Sequence, residues 1–123
     1  MALDVLIVDD SAAIRKILQR VLHQAEVPLG NVIEAGDGKE ALEKLANQPV
    51  GLVLSDINMP NMDGIEFLRH VKANEALKTV PIIMVTTEGS KNKVMEAVEL
   101  GAAGYVRKPF TAEQIKEKLA GFY

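Results

Sequence analysis

Two adjacent acids, Asp9 and Asp10, close the apolar run Val5-Leu6-Ile7-Val8; Asp56 follows Leu52-Val53-Leu54 after one serine, Thr86 follows Ile82-Ile83-Met84-Val85, and Lys108 follows Tyr105-Val106-Arg107. If these runs are neighbouring strands, three carboxylates converge on one crevice with a hydroxyl and an ammonium beside them. Like charges at close range raise one another's pKa and strain the fold unless a cation compensates them. Magnesium suits such a site, because it prefers oxygen and typically takes one or two carboxylates, several waters and a phosphate. A carboxylate can also accept a phosphoryl group covalently when cations neutralise the transferring oxygens. Asp56 is the candidate acceptor, since it opens a loop rich in Asn, Pro and Gly that runs to Gly64. Lys108 carries a point charge on a long flexible stem, and the Thr86 hydroxyl can donate to a phosphoryl oxygen. Taken singly, each has a plainer reading: acids at strand ends are commonly turn or cap residues, and a lone lysine is a solvated charge. Convergence is what favours chemistry.

The elements that must bring them together are legible as period. The apolar runs, with Val32-Ile33 as a further one, read as five strands. Ile14, Ile17, Leu18, Val21 and Leu22 follow a helical stripe that Asp10 or Ser11 would cap. Ala41-Leu42-Leu45, Ile65-Leu68-Val71, Val94-Ala97-Val98 and Ile115-Leu119-Phe122 predict four more helices. Alternating strands and helices predict an α/β, doubly wound, five-stranded parallel sheet with helices on both faces. Glu34 and Arg107 interrupt runs two and five, which puts those strands at the edges and gives the flavodoxin-like order 2-1-3-4-5. Ligands then bind at the carboxyl ends of strands one and three. A chain of 123 residues predicts one domain over 1–123, and a net charge of -3 attracts neither nucleic acid nor an anionic membrane. The lack of cysteine excludes disulfide and thiol chemistry and suits the cytoplasm. The first apolar run is too short for a signal-peptide core or a membrane span.

Asp9-Asp10-Ser11, the segment from Asp56 through Asn58, Met59, Pro60, Asn61, Met62 and Asp63 to Gly64, Val85-Thr86-Thr87 and Lys108-Pro109-Phe110 together resemble the receiver domain of two-component response regulators. The resemblance spans the chain. Asn58, Glu88 and Gly101-Ala102-Ala103-Gly104-Tyr105-Val106 make it most similar to the chemotaxis members. The resemblance implies phosphorylation of Asp56 by a histidine kinase with magnesium as cofactor. It implies that Asp10 and Asp56 ligate the metal directly, Asp9 partly through water, and Asn58 through its backbone carbonyl. Lys108 is expected to pair with the phosphoryl group, the Lys108-Pro109 bond to be cis, Thr86 and Tyr105 to form the switch, and Asn58 and Glu88 to border the hydrolytic water. A chemotaxis member implies a downstream protein target at the flagellar motor switch and a partner phosphatase. It implies no enzymatic turnover beyond the protein's own phosphorylation and dephosphorylation. Thr87, where alanine is frequent in chemotaxis members, and the short last helix depart from the pattern on the partner face.

Other features favour plain readings. His23 and His70 lack ligand-like spacing and read as exposed helix residues. Met59 and Met62 read as packing beside the site, and Lys91 and Lys93 as a solvated helix face. Two further functions share the topology. A magnesium-dependent aspartyl-nucleophile phosphatase of the haloacid-dehalogenase type fits less well, because its Asp-x-Asp lies on strand one and Asn58 stands in place of the second acid. A flavodoxin-like flavin carrier is disfavoured by an acidic crevice that would repel the flavin phosphate. A phosphorelay intermediary would share the same catalytic residues.

Overall fold

The computed structural model describes residues 2–87 and 89–123. The apolar runs form β1 (Leu3–Val8), β2 (Leu29–Ala35), β3 (Leu52–Ser55), β4 (Ile82–Thr86) and β5 (Gly104–Arg107). Between and after them come α1 (Ala12–Gln24), α2 (Gly38–Asn47), α3 (Gly64–Ala73), α4 (Lys91–Glu99) and α5 (Ala112–Leu119). Every strand pair is parallel, and the order is β2-β1-β3-β4-β5, the flavodoxin-like arrangement expected from the sequence. β3 and β4 are buried throughout and β1 at all but Asp4, whereas β2 and β5 are partly exposed, as the charges in those runs predicted.

Alternation of side chains across the pleat divides the core in two. Val5, Ile7, Leu52, Leu54, Ile83, Val85 and Val106 face α1 and α5, where they meet Leu18, Leu22, Ile115 and Leu119. Leu6, Val8, Val53, Ile82 and Met84 face the other layer, where they meet Ala41, Phe67, Leu68, Val71 and Ala97. Continued past the strand ends, the same parity puts Asp9, Asp56 and Lys108 on the α1/α5 side, and Thr86 and Tyr105 together on the other.

Helix starts are set by side-chain caps. Ser11 accepts from Ile14 N at 3.2 Å, so Ser11 rather than Asp10 caps α1. Asp37, Asp63 and Thr111 cap α2, α3 and α5 in the same way. Three apolar residues depart from the periodic reading. Ile17 is 43% exposed, because it lies at the rim of an apolar cleft of about 380 Å³ shared with Ile14, Thr87, Pro109 and Phe110. Val98 is 56% exposed, since α4 buries only Ala97 completely. Phe122 lies past the end of α5: Gly121 adopts φ +100, which turns the chain off the helix, and Phe122 packs back on the core as a tail residue. No helix of the described residues is long and apolar enough to cross a membrane.

The loop after β3 returns tightly on itself. Gly64 N donates to Ile57 O at 2.7 Å. A Cβ at Gly64 would collide with the Asp56 carbonyl oxygen and stand 2.8 Å from Ile57 Cα and 2.9 Å from Met84 Cε. Since the obstruction is mostly backbone, Gly64→Ala is expected to cost about 1–3 kcal/mol of unfolding free energy, read from urea denaturation. An unchanged midpoint and slope would mean that the loop has room for a methyl group.

Candidate functional site

The parallel ladder brings the ends of β1 and β3 side by side, with Val8 opposite Ser55, so the next residue on each strand is an acid. Asp56 N donates to Val8 O at 2.9 Å, and Asp9 N donates to Ala35 O at 3.0 Å, extending the sheet hydrogen bonding up to the site. Asp9 and Asp56 are almost fully buried, at 2% and 8% exposure, whereas Asp10 is exposed. Lys108 N donates to Thr86 O at 2.9 Å, and from that anchor its side chain crosses the strand ends. Lys108 Nζ donates to Asp9 Oδ2 at 2.6 Å and to Asp56 Oδ2 at 3.0 Å. The remaining carboxylate oxygens take backbone donors: Asp9 Oδ1 accepts from Ser11 N at 2.9 Å and Asp56 Oδ1 from Ile57 N at 2.6 Å. The Lys108–Pro109 peptide is cis.

Burial pushes the Asp9 carboxyl above its ordinary pKa; hydrogen bonds from Lys108 and Ser11 offset part of the rise, and the Asp56 charge adds to it. For Lys108, burial works against the charge, but hydrogen bonds to Asp9 and then Asp56 outweigh it and hold the ammonium above its ordinary pKa. Both directions follow from two buried carboxylates sharing one ammonium. Asp10 adds a third acid, and one oxygen from each of Asp9, Asp10 and Asp56 lies within 4.8 Å of the others. An all-oxygen donor set with uncompensated negative charge matches a hard divalent cation such as magnesium and offers nothing to a soft one.

The other predicted residues fall around this centre. Thr86 is fully buried at the end of β4. Tyr105 is partly buried against the second core layer, in register with Met84, while Thr86 is in register with Arg107. Asn58 is exposed in the loop two residues beyond Asp56, and Glu88 lies outside the described residues. Thr87 is exposed, lining the apolar cleft beside Lys108. Met59 and Met62 pack against the core, and His23 and His70 are exposed. Sequence reasoning did not find Arg15, which donates through Nη1 to the Asp9 carbonyl oxygen and pairs with Glu34 at 2.9 Å. Nor did it find Ser55, whose buried hydroxyl donates to Asp56 O at 2.9 Å, or the 2.8 Å bond from Asn61 Nδ2 to Asp37 Oδ2 that ties the β3–α3 loop to the start of α2. Glu34 was the available signal for Arg15, as an acid inside an apolar run needs a partner.

Comparison with known proteins agrees with this geometry. Residues 5–120 match the model of the response regulator receiver domain. The chain is 43% identical over 115 residues to the chemotaxis protein CheY of Pseudomonas aeruginosa, covering 94% of this chain and 91% of that protein. It is 41% identical over 115 residues to chemotaxis protein CheY-3 of Vibrio cholerae, covering 94% and 87%. Among solved structures, the chemotaxis response regulator CheY4 of Vibrio cholerae superposes with a TM-score of 0.86 at 37% identity over the full length of both chains. The chain belongs to the response regulator receiver domain family and is homologous to the CheY chemotaxis proteins.

The Asp9 shift has a measurable sign. A carboxyl whose folded-state pKa is raised contributes stability that is present below its unfolded pKa and lost as pH rises through the folded value. Without divalent ions, Asp9 therefore contributes less stability at neutral pH than in acid. Asp9→Asn, which keeps an acceptor for Ser11 N, is expected to melt above the parent at pH 7 in chelator, with the gain shrinking as pH falls toward the ordinary value of 3.8. A variant that melts below the parent at pH 7 would show that the Lys108 pairing outweighs burial.

Proposed function

We propose that residues 1–123 act as one phosphoacceptor module, phosphorylated on Asp56 by a histidine kinase with magnesium bound, whose phosphorylation changes its affinity for a downstream protein. The observation that carries this reading is the Lys108 ammonium held between the buried carboxylates of Asp9 and Asp56, beside a third acid. The site has the parts that phosphoryl transfer needs, namely a fixed nucleophile and positive charge placed where the transferring oxygens will be.

Both Asp56 oxygens accept a hydrogen bond, Oδ1 from the Ile57 N–H and Oδ2 from Lys108 Nζ; the attack is assigned to Oδ2, because its partner is a side chain that can move on to a phosphoryl oxygen. Oδ2 forms a bond to phosphorus as the donor's P–N bond breaks; the electron pair leaves on the histidine nitrogen, which takes up a proton. Asp10, Asp56, the Asn58 carbonyl and, through water, Asp9 would hold magnesium, which would supply positive charge to the phosphoryl oxygens. Lys108 exchanges a carboxylate for a phosphoryl oxygen, and the Thr86 hydroxyl donates to another. Hydrolysis follows by attack of water on phosphorus: the P–O bond electrons return to Asp56 and the water's protons leave with the inorganic phosphate; Asn58 and Glu88 are the residues assigned to orient that water. The acid returns to its first state, so the chemistry serves a switch rather than net turnover of a metabolite.

Output runs along β5. Thr86 and Tyr105 share the α4 side of the sheet, so a shift of the Thr86 hydroxyl toward the site opens space on the face where the Tyr105 ring packs. Met95 and Val98 leave α4 with exposed apolar surface, which suits a protein target. Because the relatives at 43% and 41% identity are chemotaxis proteins, the proposed target is the flagellar motor switch, with a phosphatase as a second partner.

Acetyl phosphate with magnesium is expected to add one phosphoryl group, seen by intact mass, and Asp56→Asn to abolish it; equal modification of the variant would refute the site. For the output step, beryllofluoride with magnesium is expected to shift the Tyr105 ring signals in NMR spectra of the parent and much less in Thr86→Ala. Identical Tyr105 environments in the parent with and without the mimic would remove Tyr105 from the switch.

A further inference from the structure

Asp9 is held at every polar atom. Its amide is taken by Ala35 O, Oδ1 by Ser11 N and Oδ2 by Lys108 Nζ. Its carbonyl oxygen stands where β2 has ended at Ala35 and no strand donor follows, and the donor supplied there is the guanidinium of Arg15, one turn into α1. The same guanidinium is fixed from its other edge, Nε to Glu34 Oε1 at 2.9 Å, and its side chain is only 18% exposed. Glu34 is itself steadied by Lys16 Nζ on Oε2 at 3.0 Å. The donors of Lys16 and Arg15 hold the Glu34 carboxyl below its ordinary pKa, so the anchor is charged at neutral pH.

We propose that Arg15, braced by Glu34, is a positioning residue for the divalent cation site: it fixes the peptide plane between Asp9 and Asp10, and with it the aim of both carboxylates. The inference rests on the reading that the acidic crevice binds magnesium. The carbonyl that Arg15 grips and the amide of Asp10 belong to one rigid planar unit, so a change of ψ at Asp9 or of φ at Asp10 that tilts this plane reorients one carboxylate relative to the other. A planar fork can serve a carbonyl and a carboxylate at once, which an ammonium cannot match in the same geometry. The sign of the effect separates positioning from charge. Arg15 is a cation near a cation site, so if it acted only through its field, removing it would tighten magnesium binding, and removing the Glu34 charge would weaken it. If it acts by positioning, removing it loosens magnesium, and Glu34→Gln, which keeps an acceptor for Nε, has the smaller effect.

The test is magnesium chloride titration by calorimetry of the parent, Arg15→Met, Arg15→Lys and Glu34→Gln, with thermal melting of each in chelator and the Asp10 amide signal followed by NMR. Arg15→Met is expected to weaken magnesium about tenfold, in the range seen when supports behind metal ligands are removed. Arg15→Lys is expected to weaken it less, and the Asp10 amide to shift in Arg15→Met before metal is added. If Arg15→Met does not fold, the Arg15→Lys titration decides alone. Magnesium binding by either folded Arg15 variant as tight as or tighter than the parent's overturns the proposal while leaving the metal reading intact. A parent that binds no magnesium overturns the metal reading and this role together.

Discussion

Everything at the carboxyl edge of this sheet depends on one ammonium shared by two buried carboxylates. Asp9 and Asp56 are brought together by the β1–β3 ladder, not by mutual attraction, and the fold must offset their repulsion. Lys108 does so in part: it spans both acids, and its own charge survives burial because two acceptors hold it. One cation against three acids leaves negative charge over, and that residue of charge makes the crevice receptive to a divalent ion. A stabilised, neutral crevice would have less to gain from a ligand.

Parity along β5 divides the side chains near this centre between the two layers. Lys108 and Val106 share a face of β5 with the α1/α5 layer, whereas Tyr105 shares its face with Met84 and, by the same alternation, Thr86. A four-residue edge strand therefore has its end at the acidic centre and a ring in the opposite layer. Few side chains anchor α4 in that layer, since among its residues only Ala97 is fully buried. A helix held by so little apolar surface is easier to shift than its neighbours.

Around the centre, loops are kept in place by contacts that tolerate little change. Gly64 lets the chain after β3 return against the Asp56 carbonyl, and Asn61, at φ 64, reaches Asp37, which also caps α2. Arg15 closes the end of β1 in the same spirit, by giving a donor to a carbonyl that the ladder leaves unmatched. These supports come from α1, α2 and the β3–α3 loop, and they converge on the two acidic strand ends from both layers.

Fold class, strand order and the residues around the crevice were legible in the sequence, because burial on both faces leaves continuous apolar runs and charges at the edges betray edge strands. The acids, Thr86 and Lys108 were legible because each lies within two residues of the end of such a run. The choice of Ser11 over Asp10 as cap, the exposure of Ile17 and Val98, and the turn that takes Phe122 off α5 were not. Period alone gives the direction of a side chain and not what stands opposite it. What the sequence by itself determined is which groups reach the carboxyl ends of the strands, since local hydrophobic pattern fixes where strands stop. Which oxygen of Asp56 meets Lys108, and that Arg15 grips the Asp9 carbonyl against Glu34, only the tertiary structure decided. Those contacts join residues far apart in the chain, and hydrogen-bond distances depend on how the layers close rather than on any local preference.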